Sequence, residues 1–345
     1  MKVGILTAGG DCPGLNAVIR GAARKLLDEG HEPVGLLRGY QGLADPELRI
    51  ALDRRRLAGI LQLGGTILQS SSFHPIKEPE GMARVHAAQR THPLDAVIAI
   101  GGEHTQWISR CMHDEGVPVV GVPKTIDNDV VGTDRTFGVD TAVQVATDAI
   151  DRLRTTAQSH DRVMVVEVMG RNSGWIATLS GMAGGADDIV VPEVPRDVAG
   201  IAAGIQRRHD RGKRFSIVVI SEGAKLSFRG EEAGKVLATD ATDGYGYERL
   251  GGIGAALAPA LEAITGFETR VAVLGHLQRG GSPVATDRVL GTRYGIQAAE
   301  LVLSGRTGRM VSLQGQVIDS VPLSDTEGVK TVDLALLDQA AVFFS

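Results

Sequence analysis

The sequence is poor in several things that would each have fixed a class. Its 345 residues include only two cysteines, Cys12 and Cys111, which support neither a disulfide framework nor a cysteine metal site and read as free buried thiols. Aromatic residues make up 4% of the chain, which suits base stacking poorly. No run approaches the roughly 20 apolar residues that a membrane span needs. The opening Met1-Lys-Val-Gly-Ile-Leu-Thr7 lacks a basic start followed by a long apolar stretch and a cleavage site. No membrane partner and a cytoplasmic location are therefore expected. Neither sign of charge dominates: the net charge of -5 gives no global reason to bind nucleic acid, yet leaves room for a local basic pocket around an anionic metabolite. Internal repeats, low-complexity tracts and obvious linkers are also missing.

Glycine, in contrast, is plentiful at 45 residues, implying many tight turns and close backbone approaches. The length exceeds that at which single cores stop growing, so two lobes with a cleft between them are expected. Short apolar runs read as buried parallel strands at Val3–Leu6, Ala96–Ile100, Val117–Val120, Val163–Val168, Ile217–Ile220 and Val271–Leu274. Helical patterns at Asn16–Glu29, Thr141–Ala157 and Val198–Asp210 lie between them, which gives an α/β class of mostly parallel sheets flanked by helices. Ligands then belong at the carboxyl ends of strands. Phe228–Glu248, rich in glycine and acidic residues, reads as a loop or irregular hairpin.

The first strand runs into Ala8-Gly-Gly-Asp-Cys-Pro-Gly-Leu-Asn16, where glycines let backbone N–H groups approach an anion and a helix N-terminus adds favourable partial charge. It matches neither a Walker-type loop nor a complete dinucleotide motif. A second turn of similar design, Ile100-Gly-Gly-Glu-His-Thr105, follows another strand, so two strand ends face one polyphosphate in this reading. Glu103 is placed to hold Mg²⁺ against it, since magnesium favours one or two carboxylates with phosphate oxygens and water; a first-turn glutamate favoured by the helix dipole is the alternative. The third segment, Gly121-Val-Pro-Lys-Thr-Ile-Asp-Asn-Asp-Val130, concentrates a cation, a hydroxyl and two carboxylates at one strand end. One carboxylate can take an acceptor proton while the other orients metal or water. Arg162, Arg171, Arg270, His276 and Arg279 flank later strands, where forked guanidinium groups match phosphate geometry, and Glu222 can accept hydrogen bonds from sugar hydroxyls.

Taken in order, these motifs resemble the 6-phosphofructokinase family from Gly4 to about Ser304, together with Val166-Glu-Val-Met-Gly-Arg171, Ser221-Glu-Gly223 and Leu274-Gly-His-Leu-Gln-Arg-Gly-Gly-Ser-Pro283. The resemblance implies a two-lobed fold, with residues 1–138 and about 279–305 in a phosphoryl-donor lobe and 139–278 and about 306–345 in a sugar-phosphate lobe. It also implies a homotetramer or homodimer with sites shared between subunits. Asp127 is then the base for the 1-hydroxyl of fructose 6-phosphate, with Lys124, Thr125 and Arg171 about the transferring phosphoryl group and Mg²⁺ supported by Glu103 and Asp129. Gly10, Asp11, Gly102, His104 and Thr105 would bind the donor. Met169, Gly170, Glu222 and His276 would hold the sugar, and Arg279, with Arg162 and Arg270 of a neighbouring subunit, its 6-phosphate.

The donor half departs from the family pattern. ATP-using members usually carry glycine where this chain has His104, and pyrophosphate-using members aspartate there and lysine at the position of Lys124. Ile108 stands where an adenine-contacting glycine is usual, and Ser72 where an arginine usually meets the donor phosphates. Pyrophosphate is the preferred donor on this reading. An ATP-dependent enzyme is the alternative, as is a paralogue acting on another sugar phosphate or serving as a sugar-phosphate-binding regulator. Arg20, Arg24, Arg154, Arg211 and Lys213 resemble basic effector positions of regulated bacterial members, but solvated helical arginines are the commoner explanation.

Overall fold

The computed structural model of the chain describes residues 1–228, 232–242 and 248–344 and divides into two units. Unit 1 comprises Met1–Ile126, Val130–Thr141 and Arg279–Val329; unit 2 comprises Asp127–Asp129, Ala142–Gln278 and the chain from Lys330.

In unit 1 the chain lays down β1 (Lys2–Thr7), α1 (Leu15–Asp28), β2 (Glu32–Leu36), α2 (Tyr40–Ala44), β3 (Arg49–Ala51), α3 (Gly81–Thr91), β4 (Ala96–Gly101), α4 (Glu103–Asp114) and β5 (Val119–Pro123). Along β1, β4 and β5 nearly every side chain is buried, the mark of strands covered on both faces. Helix α5 (Val139–Ser159) leads into unit 2, which holds β6 (Val163–Val168), α6 (Trp175–Ala183), β7 (Asp188–Val190), β8 (Arg196–Asp197), α7 (Val198–Asp210), β9 (Ser216–Ser221), β10 (Leu226–Ser227), β11 (Leu237–Thr242), β12 (Glu248–Leu250), α8 (Ile253–Thr265) and β13 (Thr269–Val273). The chain returns to unit 1 for α9 (Ala285–Leu303), β14 (Arg309–Gln314) and β15 (Val317–Pro322), then ends in unit 2 with α10 (Leu334–Ala341).

Unit 1 is built on a seven-stranded sheet of order β15-β14-β5-β4-β1-β2-β3, parallel except at its two ends. Unit 2 has a four-stranded parallel sheet of order β13-β6-β9-β7. Each unit has its own apolar core, with Leu6, Leu36, Val97 and Met112 in the first and Val165, Val218, Ile220 and Leu257 in the second.

The α/β class holds, and several expectations change: Asp127–Asp129, expected in the phosphoryl-donor lobe, fall in unit 2, residues 139–141, expected in the sugar-phosphate lobe, fall in unit 1, and Cys111, expected to be buried, is partly exposed. Val117 opens no strand, because its N–H is spent on the Met112 carbonyl at the end of α4; β5 begins two residues later. Residues 306–329, expected in the sugar-phosphate lobe, belong to unit 1, because β14 pairs in parallel with β5 and β15 closes the same sheet. In the Phe228–Glu248 segment β11 and β12 form an antiparallel pair with register shifts, an irregular hairpin whose residues 229–231 and 243–247 lie outside the described ones.

Candidate active site

In unit 1 the turns after β1, β4 and β5 are laced together by bonds that the strands themselves cannot make. The Ala8 N–H donates to the Ile100 carbonyl at 2.9 Å, and the Lys124 N–H to the Gly101 carbonyl at 3.0 Å. Gln106, fully buried on α4, donates from Nε2 to the carbonyls of Gly101 at 2.7 Å and Val122 at 3.1 Å, locking the mouths of β4 and β5. The Lys124 side chain is buried, and its ammonium donates to the Gly10 carbonyl. Gly9, at φ 75°, passes so close that a Cβ there would lie 3.4 Å from Lys124 Nζ. Gly10 is covered by Arg279, whose Nη1 donates to the Asp11 carbonyl at 3.1 Å; a Cβ on Gly10 would come within 2.8 Å of it. The Thr125 carbonyl accepts from Thr136 Oγ1 at 2.7 Å.

Helix α4 starts at Glu103, where burial lifts the carboxyl above its ordinary range. Thr105, two residues on, is buried, and its carbonyl accepts from Tyr40 Oη at 3.2 Å and Ser109 Oγ at 2.8 Å. His104 stacks on Trp107, with ring centroids 5.4 Å apart and planes inclined by 11°. His74 meets both rings edge-on, its Nε2 lying 2.9 Å from His104 Nε2. Burial lowers both imidazoles, helped at His74 by Lys77 and at His104 by His74 and Lys77. The neighbouring Ser70 Oγ donates to the Gly9 carbonyl at 2.9 Å, so the segment that carries Ser72 and His74 borders the β1 turn. Ile108, expected in an adenine slot, is 4% exposed and packs in the apolar core with Leu6, Tyr40 and Met112. Its bulk therefore belongs to the core.

In unit 2 the Asp127–Asp129 turn is pinned residue by residue. Ser173 Oγ donates to the Asp127 carbonyl at 2.8 Å, Lys330 Nζ to Asn128 Oδ1 at 3.1 Å, and the Lys330 N–H to the Asp129 carbonyl at 2.8 Å. Asn128 is buried at φ 52°, a conformation asparagine tolerates better than most residues. The Lys330 ammonium lies 5.5 Å above the Trp175 ring. At the mouths of β6 and β9, the Glu222 N–H donates to the Val168 carbonyl at 2.8 Å and Ser221 Oγ donates to the Gly170 carbonyl. Gly170 has φ 128°, and a Cβ on Gly223 would come within 1.9 Å of the Arg171 carbonyl, so Met169, Gly170, Arg171 and Glu222 share one closely fitted strand end. Gln278 Oε1 accepts from the Met169 N–H at 3.3 Å.

The other two arginines lie elsewhere. Arg162 precedes β6 and Arg270 stands near the start of β13; both pair with Glu268, Arg162 at 2.8 Å, and hold its carboxyl below the ordinary range. Six strand residues at about 3.3 Å each put them about 20 Å from Gly170 and Glu222. Arg279, expected with them on the sugar's phosphate, is placed in unit 1 at the β1 turn. His276 is exposed. His74 and Lys330 were not singled out from the sequence, where a lone histidine and a C-terminal lysine carry no spacing signal.

Glycine turns at the carboxyl ends of parallel strands, in each unit, define an α/β protein of mostly parallel sheets flanked by helices. The phosphofructokinase family model matches residues 2–302, and the chain belongs to the phosphofructokinase family. It is 50% identical over 347 residues, covering 100% of both chains, to ATP-dependent 6-phosphofructokinase 2 of Streptomyces coelicolor. It is 49% identical, again over 100% of both, to the pyrophosphate–fructose 6-phosphate 1-phosphotransferase of Amycolatopsis methanolica. Among solved structures, the phosphofructokinase of Saccharomyces cerevisiae superposes with a TM-score of 0.80 at 28% identity over 94% of this chain, which spans 45% of the yeast chain. The pyrophosphate-dependent phosphofructokinase of Marinobacter aquaeolei shares the fold, with a TM-score of 0.80 at 23% identity over 97% of this chain and 86% of that one. Among the described residues no helix is long and apolar enough to cross a membrane.

Proposed function

We propose that the chain transfers a phosphoryl group from pyrophosphate to the 1-hydroxyl of fructose 6-phosphate, giving fructose 1,6-bisphosphate and phosphate. The observation that carries the donor assignment is the ring cluster of His74, His104 and Trp107 at the start of α4. Three rings there take up space that an adenosine moiety would need, whereas pyrophosphate needs only cations and N–H donors. The buried Lys124, fixed to the β1 turn, supplies one such cation.

Asp127 takes the proton of the 1-hydroxyl as its oxygen bonds to the phosphorus and the bond to the leaving phosphate breaks. Lys124, Thr125 and Arg171 neutralise and orient the group in flight. Glu103 and Asp129 are hard oxygen donors that suit Mg²⁺, and with oxygens of the phosphoryl donor they would hold the ion. Bound there, it would neutralise charge on the donor oxygens. Met169, Gly170 and Glu222 hold the sugar. The separation of Arg162 and Arg270 from that strand end supports a homo-oligomer in which they serve a neighbouring copy's sugar phosphate.

The ATP-named relative at 50% identity favours a second reading, an ATP-dependent enzyme. The variant His104→Gly separates the two: the ratio of ATP-driven to pyrophosphate-driven rate should rise by roughly tenfold, the scale of relieving one pocket clash. An unchanged ratio would remove the rings from donor choice.

A further inference from the structure

Within unit 2 the turn that carries Asp127 is held from two directions, and both holds end on one oxygen. Ser173, whose Oγ donates to the Asp127 carbonyl, immediately precedes Gly174; Lys330, which holds Asn128 Oδ1 and the Asp129 carbonyl, stands two residues before Val332. The Gly174 N–H and the Val332 N–H both donate to Glu193 Oε1, each at 2.9 Å. Glu193 lies in the turn between β7 and β8 and has no part in the proposed transfer. Its Oε2 is buried and makes no hydrogen bond among the described residues. Trp175, at the start of α6, donates from Nε1 to the Lys330 carbonyl at 3.4 Å, so the two arms are tied to each other as well as to Glu193. Glycine at 174 lets the carboxylate come close: a Cβ there would lie 3.0 Å from Glu193 Oε2 and 2.4 Å from Val191 Cγ1.

We propose that Glu193 is a positioning residue for the acceptor chemistry, its Oε1 joining the Ser173 and Lys330 arms into one clamp on the Asp127–Asp129 turn. The inference rests on the reading of Asp127 as the base. Bonds from N–H groups to a carboxylate are stronger than those to a neutral acceptor, so one oxygen suffices to hold two segments that are distant in the chain. A general base works only where its carboxylate meets the acceptor hydroxyl at hydrogen-bond distance, and the direction of a side chain follows its backbone. Releasing the clamp lets the turn settle elsewhere, at a cost in rate rather than in binding.

Two substitutions and one background separate this role from a merely structural one. Glu193→Ala removes the acceptor of both N–H groups; Glu193→Gln keeps it, because the amide oxygen takes the place of Oε1 and the amide nitrogen that of the unbonded Oε2. In Glu193→Ala kcat should fall roughly tenfold, a fraction of what misplacing a reacting group by about 1 Å costs, while the dissociation constant for fructose 6-phosphate, read by calorimetry, stays within about twofold. Glu193→Gln should recover kcat to within about twofold of the wild type. In an Asp127→Ala background Glu193→Ala should change the residual turnover by less than about twofold, since residues that act through one another are not additive. Hydrogen exchange, read by mass spectrometry over peptides containing Gly174 and Val332, should quicken in Glu193→Ala and stay at the wild-type rate in Glu193→Gln.

A wild-type kcat in Glu193→Ala, or exchange at both peptides unmoved by it, would overturn the proposal. The same fold loss in the wild-type and Asp127→Ala backgrounds would overturn it too, since that is the behaviour of a residue that only supports the fold. Where Glu193→Ala does not fold, Glu193→Asp, one methylene shorter and unable to span both N–H groups, takes its place with the same kcat loss and the same non-additivity expected. Asp127→Ala alone with undiminished turnover would overturn the reading of the base separately, and the exchange rates would still decide the clamp.

Discussion

Asp127 owes its position to neighbours that do no chemistry. Ser173 fixes its carbonyl, and Lys330 fixes the next two residues. Held this firmly through its backbone, the turn keeps its place when the carboxyl of the proposed base is removed, so Asp127→Ala is expected to lose turnover by at least roughly 10²-fold, while calorimetry still detects fructose 6-phosphate binding. Turnover within a few-fold of the wild type would take Asp127 out of the role of base. The two thiols give a second test at this scale. Burial pushes Cys12 up to about 12, and its Sγ faces the Phe137 carbonyl, whereas Cys111 is partly exposed. Brief alkylation of the native protein near pH 8 should therefore label Cys111 and spare Cys12, as read by peptide mass spectrometry. Label on native Cys12 would contradict its placement. At this scale the sequence offers candidates where titratable and hydroxyl groups are concentrated in one run, as from Lys124 to Asp129. It was silent where partners come from afar: His74 reaches His104 across 30 positions and Lys330 reaches Asn128 across 202. Ile108 shows the reverse error, because identity alone does not tell whether a β-branched residue fills a slot or a core.

Among the elements, α1 and α9 approach until backbone meets backbone. A Cβ on Gly295 would fall 2.3 Å from the Val18 carbonyl, and one on Gly21 2.6 Å from the Thr292 carbonyl. Backbone atoms cannot swing aside as a flexible side chain can. Gly295→Ala should destabilise unit 1 by about 2 kcal/mol, typical of overpacking, visible as a lower midpoint in chemical denaturation. A midpoint unchanged from wild type would mean the helices are less closely apposed. Strands β1, β4, β5, β6, β9 and β13 were legible because strands covered on two faces need unbroken apolar runs, as Val163–Val168 shows, whereas β2, interrupted by Pro33 and Gly35, and the three-residue β7 were not read as strands. Strand ends were less legible: Val117 looks like strand but caps α4. The return of β14 and β15 to unit 1 was hidden, since which strand β14 pairs with is a long-range choice that its own residues do not encode.

For the whole molecule, the family-model match and full-length likeness to phosphofructokinases fix the family, and relatives at about equal identity carry names with different donors. Overall likeness thus leaves the donor unresolved, and the proposed pyrophosphate donor rests on His74, His104, Trp107 and Lys124. The most direct test is initial rates with fructose 6-phosphate and Mg²⁺, with pyrophosphate and ATP supplied separately at matched concentrations. The account predicts a kcat/KM for pyrophosphate at least about tenfold above that for ATP, as one excluded group in a pocket allows. A higher kcat/KM for ATP would contradict it.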